Sequence, residues 1–188
     1  MAKRVRLVIF GRQGAGKGTQ CALLIERYGA VHISTGDILR AAVAEGTEFG
    51  RQADAYMSAG NLVPDDVIIG IVQERLAKPD VAERGFLLDG FPRTEAQAQA
   101  LVETLGNAGI DLAVNIDVPL DVVRERIAGR NRADDNAEAV ERRLQDYEDK
   151  TMPAVRWFGT IGKLVEVDGV GSETDVFARL TDVIDSHL

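Results

Sequence analysis

The stretch Gly11-Arg12-Gln13-Gly14-Ala15-Gly16-Lys17-Gly18-Thr19 carries the residue types that a chain of phosphates needs, in a usable order. Glycines let successive backbone N–H groups converge on one anion without Cβ clashes. Lys17 supplies a mobile positive charge for the outer phosphates, and Thr19 a hydroxyl suited to a bound magnesium ion. The context is also right. An apolar run, Val5 to Phe10, reads as a buried strand before the turn. Gln20 to Tyr28 reads as a helix after it, and a helix N-terminus adds positive potential where an anion would sit. One detail departs from the strict G-x-x-x-x-G-K-[ST] form: Gly18 intervenes, so the hydroxyl falls at Thr19. That variant leans toward small-molecule phosphoryl transfer rather than a switch GTPase, and the chain has no Asn-Lys-x-Asp guanine motif.

A second group of polar residues ends an apolar run, Phe86-Leu87-Leu88-Asp89-Gly90. An aspartate at a strand end beside a phosphate cradle holds magnesium directly or through water. The structural alternative, a turn or helix N-cap aspartate, is weakened by Gly90-Phe91-Pro92-Arg93, which delivers an arginine to the same edge. A third stretch, His32-Ile33-Ser34-Thr35-Gly36-Asp37-Ile38-Leu39-Arg40, runs from strand to helix. Thr35 offers a hydroxyl at the turn, Arg40 lies one helical turn further on, and Asp37 reads as the N-cap. His32 has no Cys or His neighbour in the pattern and reads as structural, while His187 in the tail reads as solvated.

Positioning these groups requires a parallel sheet. Five apolar runs, Val5–Phe10, Val31–Ser34, Gly85–Asp89, Ala113–Asp117 and Lys163–Val167, are separated by helical patterns, the alternation of βαβ units. In such sheets ligands gather beyond the carboxyl ends of the strands, where all three stretches fall. Residues 36–78 carry three helical stretches and no strand, a small helical insertion over that edge. Residues 130–136 form a short charged loop between two helices. Ser172-Glu173-Thr174-Asp175 opens the last helix in capping-box fashion, with Val176, Phe177, Leu180, Val183 and Ile184 on one packing face.

Composition narrows the function classes. A chain of 188 residues with 45% hydrophobic and 28% charged content fits one soluble α/β domain. The net charge of −8 argues against a nucleic-acid or anionic-membrane surface. A single cysteine, Cys21, excludes disulfide frameworks and Cys-rich zinc sites, and its apolar neighbours suggest a buried structural thiol. No apolar run approaches the ~20 residues of a membrane span. The first strand starts within a few residues of Met1, leaving no room for a secretory leader, so the expected location is cytoplasmic.

Taken in series, these blocks resemble an adenylate kinase of the nucleoside monophosphate kinase family. Gly-x-x-Gly-x-Gly-Lys-Gly-Thr, Ser-Thr-Gly-Asp-x-Leu-Arg, Leu-Val-Pro-Asp and Asp-Gly-Phe-Pro-Arg-x-x-x-Gln occur in family order between Val5 and Val170. The resemblance implies an α/β P-loop NTPase-type three-layer fold over 1–188, with a central five-stranded parallel sheet. It further implies a helical NMP-binding flap at 34–63 and a short lid at 130–136. The implied reaction is reversible phosphoryl transfer from ATP to AMP, giving two ADP and serving adenine nucleotide homeostasis. ATP would lie on Gly14, Ala15, Gly16, Lys17, Gly18, Thr19, Arg130 and Gly171. AMP would be held by Thr35, Arg40, Asn61, Leu62, Val63, Gly90, Phe91, Pro92, Arg93, Gln97, Arg132 and Arg143. Lys17, Arg93, Arg130, Arg132 and Arg143 would be the catalytic charges, and magnesium would accompany ATP through Thr19 and Asp89, by way of water. The short lid lacks the longer insertion that carries zinc ligands in some relatives, so no zinc is expected. The implied partners are ATP, AMP and ADP, with no nucleic acid or membrane, acting on a monomer.

Helical geometry gives an independent reading of one arginine. Val140, Leu144 and Tyr147 form an apolar stripe by i, i+4, i+7 spacing. At about 100° per residue, Arg143 lies at the stripe's edge while Arg142 points nearly opposite. In the helix after Pro119, Leu120, Val123 and Ile127 are expected to face the core, with Arg124 and Glu125 solvated or paired within the helix. Arg126 stays open between an ion pair and the family's basic residue near ATP. Gln13 stands where the family usually has Pro, and Arg12 adds charge beside it, so a looser phosphate loop is expected. The rivals are a UMP/CMP-type kinase, disfavoured by Thr35 and Gln97, and a catalytically silent nucleotide-binding module, disfavoured by the full arginine set.

Overall fold

The computed structural model describes residues 4–44, 46, 48–58, 63–106, 109–129 and 137–188. Five strands, β1 (Val5–Gly11), β2 (Val31–Ser34), β3 (Gly85–Asp89), β4 (Leu112–Asp117) and β5 (Leu164–Asp168), make one sheet in the order β2-β3-β1-β4-β5. Every pairing is parallel. The strands foreseen from apolar runs are all present, with bounds moved by no more than a residue at either end. Parallel strands buried on both faces read as near-continuous apolar runs, which is why they were legible.

Alternation along β1 shows how the layers form. Val5, Leu7 and Ile9 enter one core, and Val8 and Phe10 enter the other. The first core is closed by α1 (Lys17–Tyr28), α7 (Leu120–Ala128), α8 (Ala137–Asp146) and α10 (Glu173–His187). The second is closed by helices that include α4 (Asp65–Leu76), α6 (Glu95–Leu105) and α9 (Met152–Thr160). The result is the three-layer α/β architecture the sequence implied. Between β2 and β3 the chain runs through α2 (Thr35–Ala44), α3 (Glu48–Ser58), α4 and α5 (Pro79–Arg84), so the segment over the β2 edge is helical as expected.

The end of the chain follows its local chemistry. Ser172 accepts from the Asp175 N–H while the Asp175 carboxylate accepts from the Ser172 N–H, a closed capping box at the start of α10. Val176, Leu180 and Ile184 are buried against the sheet.

Three local expectations are corrected. Ser34, not Asp37, caps α2: its hydroxyl accepts from the Asp37 N–H at 3.3 Å, and Asp37 already lies in the first turn. Leu120 is exposed, because it is the first residue of α7 and the apolar stripe reaches the sheet only at Val123 and Ile127. Arg124 pairs with Glu141 of α8 through two bonds of 3.0 Å rather than within its own helix. The expected lid at 130–136 lies outside the described residues.

Candidate active site

The carboxyl ends of β1 and β3 bring the chemistry together. After β1 the chain turns through Arg12 to Gly16, and α1 begins at Lys17. Gly14 has φ 85°, and a Cβ there would stand 2.9 Å from Cγ1 of Ile127, so both the backbone and the packing of α7 demand glycine. Gly16, at the N-cap of α1, is likewise left-handed. The first N–H groups of α1 and its positive end therefore face the loop's concavity.

Arg12 does not loosen this loop. Its Nε donates to Glu148 at 2.7 Å, its Nη1 donates to Asp117 at 2.9 Å, and its guanidinium stacks 5.5 Å from the centre of the Tyr147 ring. Burial alone would lower the Arg12 guanidinium, but the bonds to Glu148 and Asp117 outweigh it and hold it above the usual arginine value. The loop is thus anchored to the end of β4 and to the π-helical turn Tyr147–Thr151 that follows α8. The expectation of a looser loop came from Gln13 and Arg12 as local features and missed these distant partners.

Lys17 points across to β3, donating to Asp89 Oδ1 at 2.8 Å. His32 Nε2 approaches the other carboxylate oxygen at 3.6 Å. Burial would raise the Asp89 pKa, yet His32 and Lys17 together hold it well below the ordinary carboxylate range. His32 therefore has the partners that the sequence pattern did not show. A carboxylate flanked by Lys17 and His32, with the Thr19 hydroxyl exposed on the neighbouring turn, offers the hard oxygen donors that magnesium prefers. The residues present fit that ion.

On one side of this pair lies a cleft of about 230 Å³, lined by Gly14, Ala15, Gly16, Thr19, Gln20, Arg126, Gly169, Gly171, Glu173 and Val176. Arg126 lies in it, donating to the carbonyls of Ala15 at 3.4 Å and Gly169 at 3.0 Å. Gln20 is 3% exposed; its amide nitrogen donates to the Glu173 carbonyl, and its Oε1 has no hydrogen-bond partner among the described residues. The sequence reading missed Gln20, although its place after Thr19 on α1 aims it at the same cleft.

On the other side, β2 and β3 run in register, Ser34 beside Asp89. Thr35 donates to the Gly90 carbonyl at 2.9 Å, and Arg93 Nε donates to the same carbonyl at 2.8 Å. Gly90 has φ 79°, and a Cβ there would press on the Thr35 hydroxyl at 3.0 Å. The Phe91–Pro92 peptide is cis, with Phe91 buried beneath the turn. Gln97 is fixed at both ends: its Oε1 accepts from the Arg93 N–H at 2.7 Å, and its Nε2 donates to Asp65 at 2.6 Å. Since an N–H only donates and a carboxylate only accepts, the amide has one orientation. Asp65, present in the sequence analysis only as the last residue of Leu-Val-Pro-Asp, is the group that sets it. Val63 is buried nearby in the same core, and Arg40 is exposed and ion-paired with Asp37.

Arg143 is half-buried on α8 and repels Arg93, as does Arg40; crowding of protein around Arg93 lowers its pKa first, these two add to it, and Asp89 and Asp146 oppose it. Arg40, Arg93 and Arg143 therefore converge on one region beside Asp89. Arg142 is exposed and faces Glu138 at 3.4 Å. Arg130, Arg132, Asn61 and Leu62 lie outside the described residues.

The family model described as "Adenylate kinase" matches residues 9–163. A protein of Stenotrophomonas maltophilia strain K279a named adenylate kinase is 49% identical over 186 residues, covering 96% of this chain and 99% of its own. A namesake from Corynebacterium diphtheriae is 49% identical, with 93% and 96% covered. Another, from Parvibaculum lavamentivorans, is 44% identical, with 96% and 92% covered.

Proposed function

Since the chain belongs to the adenylate kinase family, it is a phosphotransferase that moves a phosphoryl group reversibly from ATP to AMP, and we propose that it does so across the Lys17–Asp89 pair. The observation that carries this reading is the flanking of that pair: a glycine-walled cleft on one side, and Thr35, Gly90, Arg93 and Gln97 on the other.

ATP takes the first side, its phosphates on the loop from Gly14 to Thr19 and its base in the cleft by Gly171. There the Gln20 Oε1 is an acceptor available to the adenine amino group, and Arg126 lies beside it. AMP takes the second side, its base by Gln97, Val63 and the Gly90–Arg93 turn, its phosphate toward Arg40, Arg93 and Arg143. Arg40 leaves Asp37 to do this at small cost, because both side chains are exposed. Lys17 similarly exchanges the Asp89 carboxylate for the incoming phosphates. Thr19 and Asp89 would hold the magnesium, which supplies charge neutralisation on the phosphates of ATP.

Little covalent work falls to the protein, so positioning and electrostatics dominate. The AMP phosphate is already a competent nucleophile at neutral pH and needs no base. Lys17, Arg93 and Arg143, with Arg130 and Arg132 from the lid, neutralise charge on the transferring group. Closure of a flap at 34–63 and a lid at 130–136 excludes water and prevents hydrolysis of ATP. The enzyme works as a cytoplasmic monomer; among the described residues no helix is long and apolar enough to cross a membrane.

A coupled assay with magnesium-ATP and a panel of monophosphates tests the base assignment. AMP is expected to exceed GMP, UMP and CMP in kcat/KM by at least roughly tenfold, the scale of a lost hydrogen-bonded contact. A preference for UMP or CMP would remove Gln97 from its role.

A further inference from the structure

Behind the phosphate loop, three elements place three different metal-binding groups together. Cys21 lies on α1 one turn beyond Lys17, His32 lies on β2, and Asp89 ends β3. One ligand atom from each lies within 4.8 Å of the other two. We propose that Cys21, His32 and Asp89 form a site for one divalent cation of borderline-soft character, zinc being the representative, which shares only the Asp89 carboxylate with the magnesium that travels with ATP.

The donor set argues for that class. Thiolate, imidazole and carboxylate all bind zinc, and three protein ligands leave the fourth tetrahedral position to water. Magnesium demands octahedral oxygen coordination and gains nothing from sulfur or imidazole. The framework is preset: the parallel register of β2 and β3 fixes His32 against Asp89, and α1 packs on that part of the sheet. Zinc–ligand bonds of about 2.0–2.3 Å put ligand atoms roughly 3–4 Å apart, so closing from 4.8 Å takes side-chain rotation only. His32 is exposed and gives the entry path; Cys21 is fully buried and forms the floor.

Binding is balanced in protons. Coordination forms the metal–sulfur bond, breaks the S–H bond, and releases that proton to solvent. Asp89 keeps one oxygen on Lys17, so the metal and the phosphate loop share this carboxylate.

The test uses the nucleotide-free full-length chain, titrated with zinc by calorimetry and with cobalt(II) by absorption spectroscopy. The expected result is one equivalent of zinc, retained in excess magnesium, and a thiolate-to-cobalt charge-transfer band with tetrahedral ligand-field bands. Cys21→Ala should lose the charge-transfer band and bind zinc at least tenfold more weakly; His32→Gln should keep the band at saturating cobalt and weaken zinc at least tenfold. Wild-type chain that binds no stoichiometric zinc, or cobalt without the thiolate band, overturns the site. So does Cys21→Ala binding zinc as tightly as wild type. If Cys21→Ala does not fold, the wild-type cobalt spectrum and His32→Gln decide the question.

Discussion

Arg142 and Arg143 are neighbours of one residue type, and only their position on α8 separates them. Val140, Leu144 and Tyr147 are buried along one stripe, Arg143 is half-buried at its edge, and Arg142 is exposed beside Glu138. The electrostatic neighbourhood that lowers Arg93 includes Arg143. A guanidinium partly removed from water and aimed at developing negative charge is worth far more than one in solvent. Arg143→Ala should therefore cost on the order of 2–4 kcal/mol of transition-state stabilisation in kcat/KM. Arg142→Ala should change it by no more than about 0.5 kcal/mol. Thermal melts of both variants separate chemistry from unfolding. Equal losses, or a larger loss at Arg142, would withdraw Arg143 from the site. That contrast was legible in the sequence because helical phase is a local property. The environment of His32 was not, since Cys21 and Asp89 reach it from separate elements.

Elements couple at the π-helical turn Tyr147–Thr151. The apolar stripe of α8 continues into it at Tyr147, whose hydroxyl donates to buried Asn115 of β4 at 2.9 Å. Glu148 takes Arg12 from the phosphate loop, and the Thr151 hydroxyl donates to the Arg93 carbonyl at 3.2 Å. One turn thus touches both the phosphate loop and the Gly90–Arg93 turn. The Arg12 pair is half-buried, with side-chain exposures of 16% and 37%, between the regimes where ion pairs count for little and for much. A double-mutant cycle of Arg12→Ala and Glu148→Ala, read by denaturant unfolding, should give a coupling of about 1–2 kcal/mol. Arg12→Ala should also raise the KM for ATP several-fold with a smaller change for AMP. Additivity within about 0.3 kcal/mol would mean that the contact anchors nothing. The strands and helices were readable from apolar runs, capping residues and periodicity. This anchor was not, because its partners stand 136 and 105 residues from Arg12 in the chain, and local pattern carries no record of that distance.

At the scale of the whole molecule, the strand order β2-β3-β1-β4-β5 places the elements of the two proposed nucleotide sites. The chain leaves β1 into the phosphate loop and α1, while β2 and β3, paired beyond it, supply Thr35 and the Gly90–Arg93 turn. Parallel pairing puts all these carboxyl ends on one edge, so the two nucleotide sites proposed above would face each other across Lys17 and Asp89. The parallel sheet was inferable from βαβ alternation, whereas the strand order was not, and that order makes a demand that neither half-site makes alone. A single molecule carrying two adenosines joined by a polyphosphate chain should occupy both sites at once. Linking the second contact to the first makes it intramolecular, so affinity should exceed that of ATP or AMP by about a hundredfold or more. Calorimetry should return one equivalent per chain. Gln97→Ala should weaken this ligand while leaving ATP affinity within about twofold, because the amide lies on the AMP side only. Two equivalents per chain, or affinity no better than that of ATP, would mean that the sites do not share one edge. The transfer proposed across Lys17 and Asp89 would then lose its geometric basis.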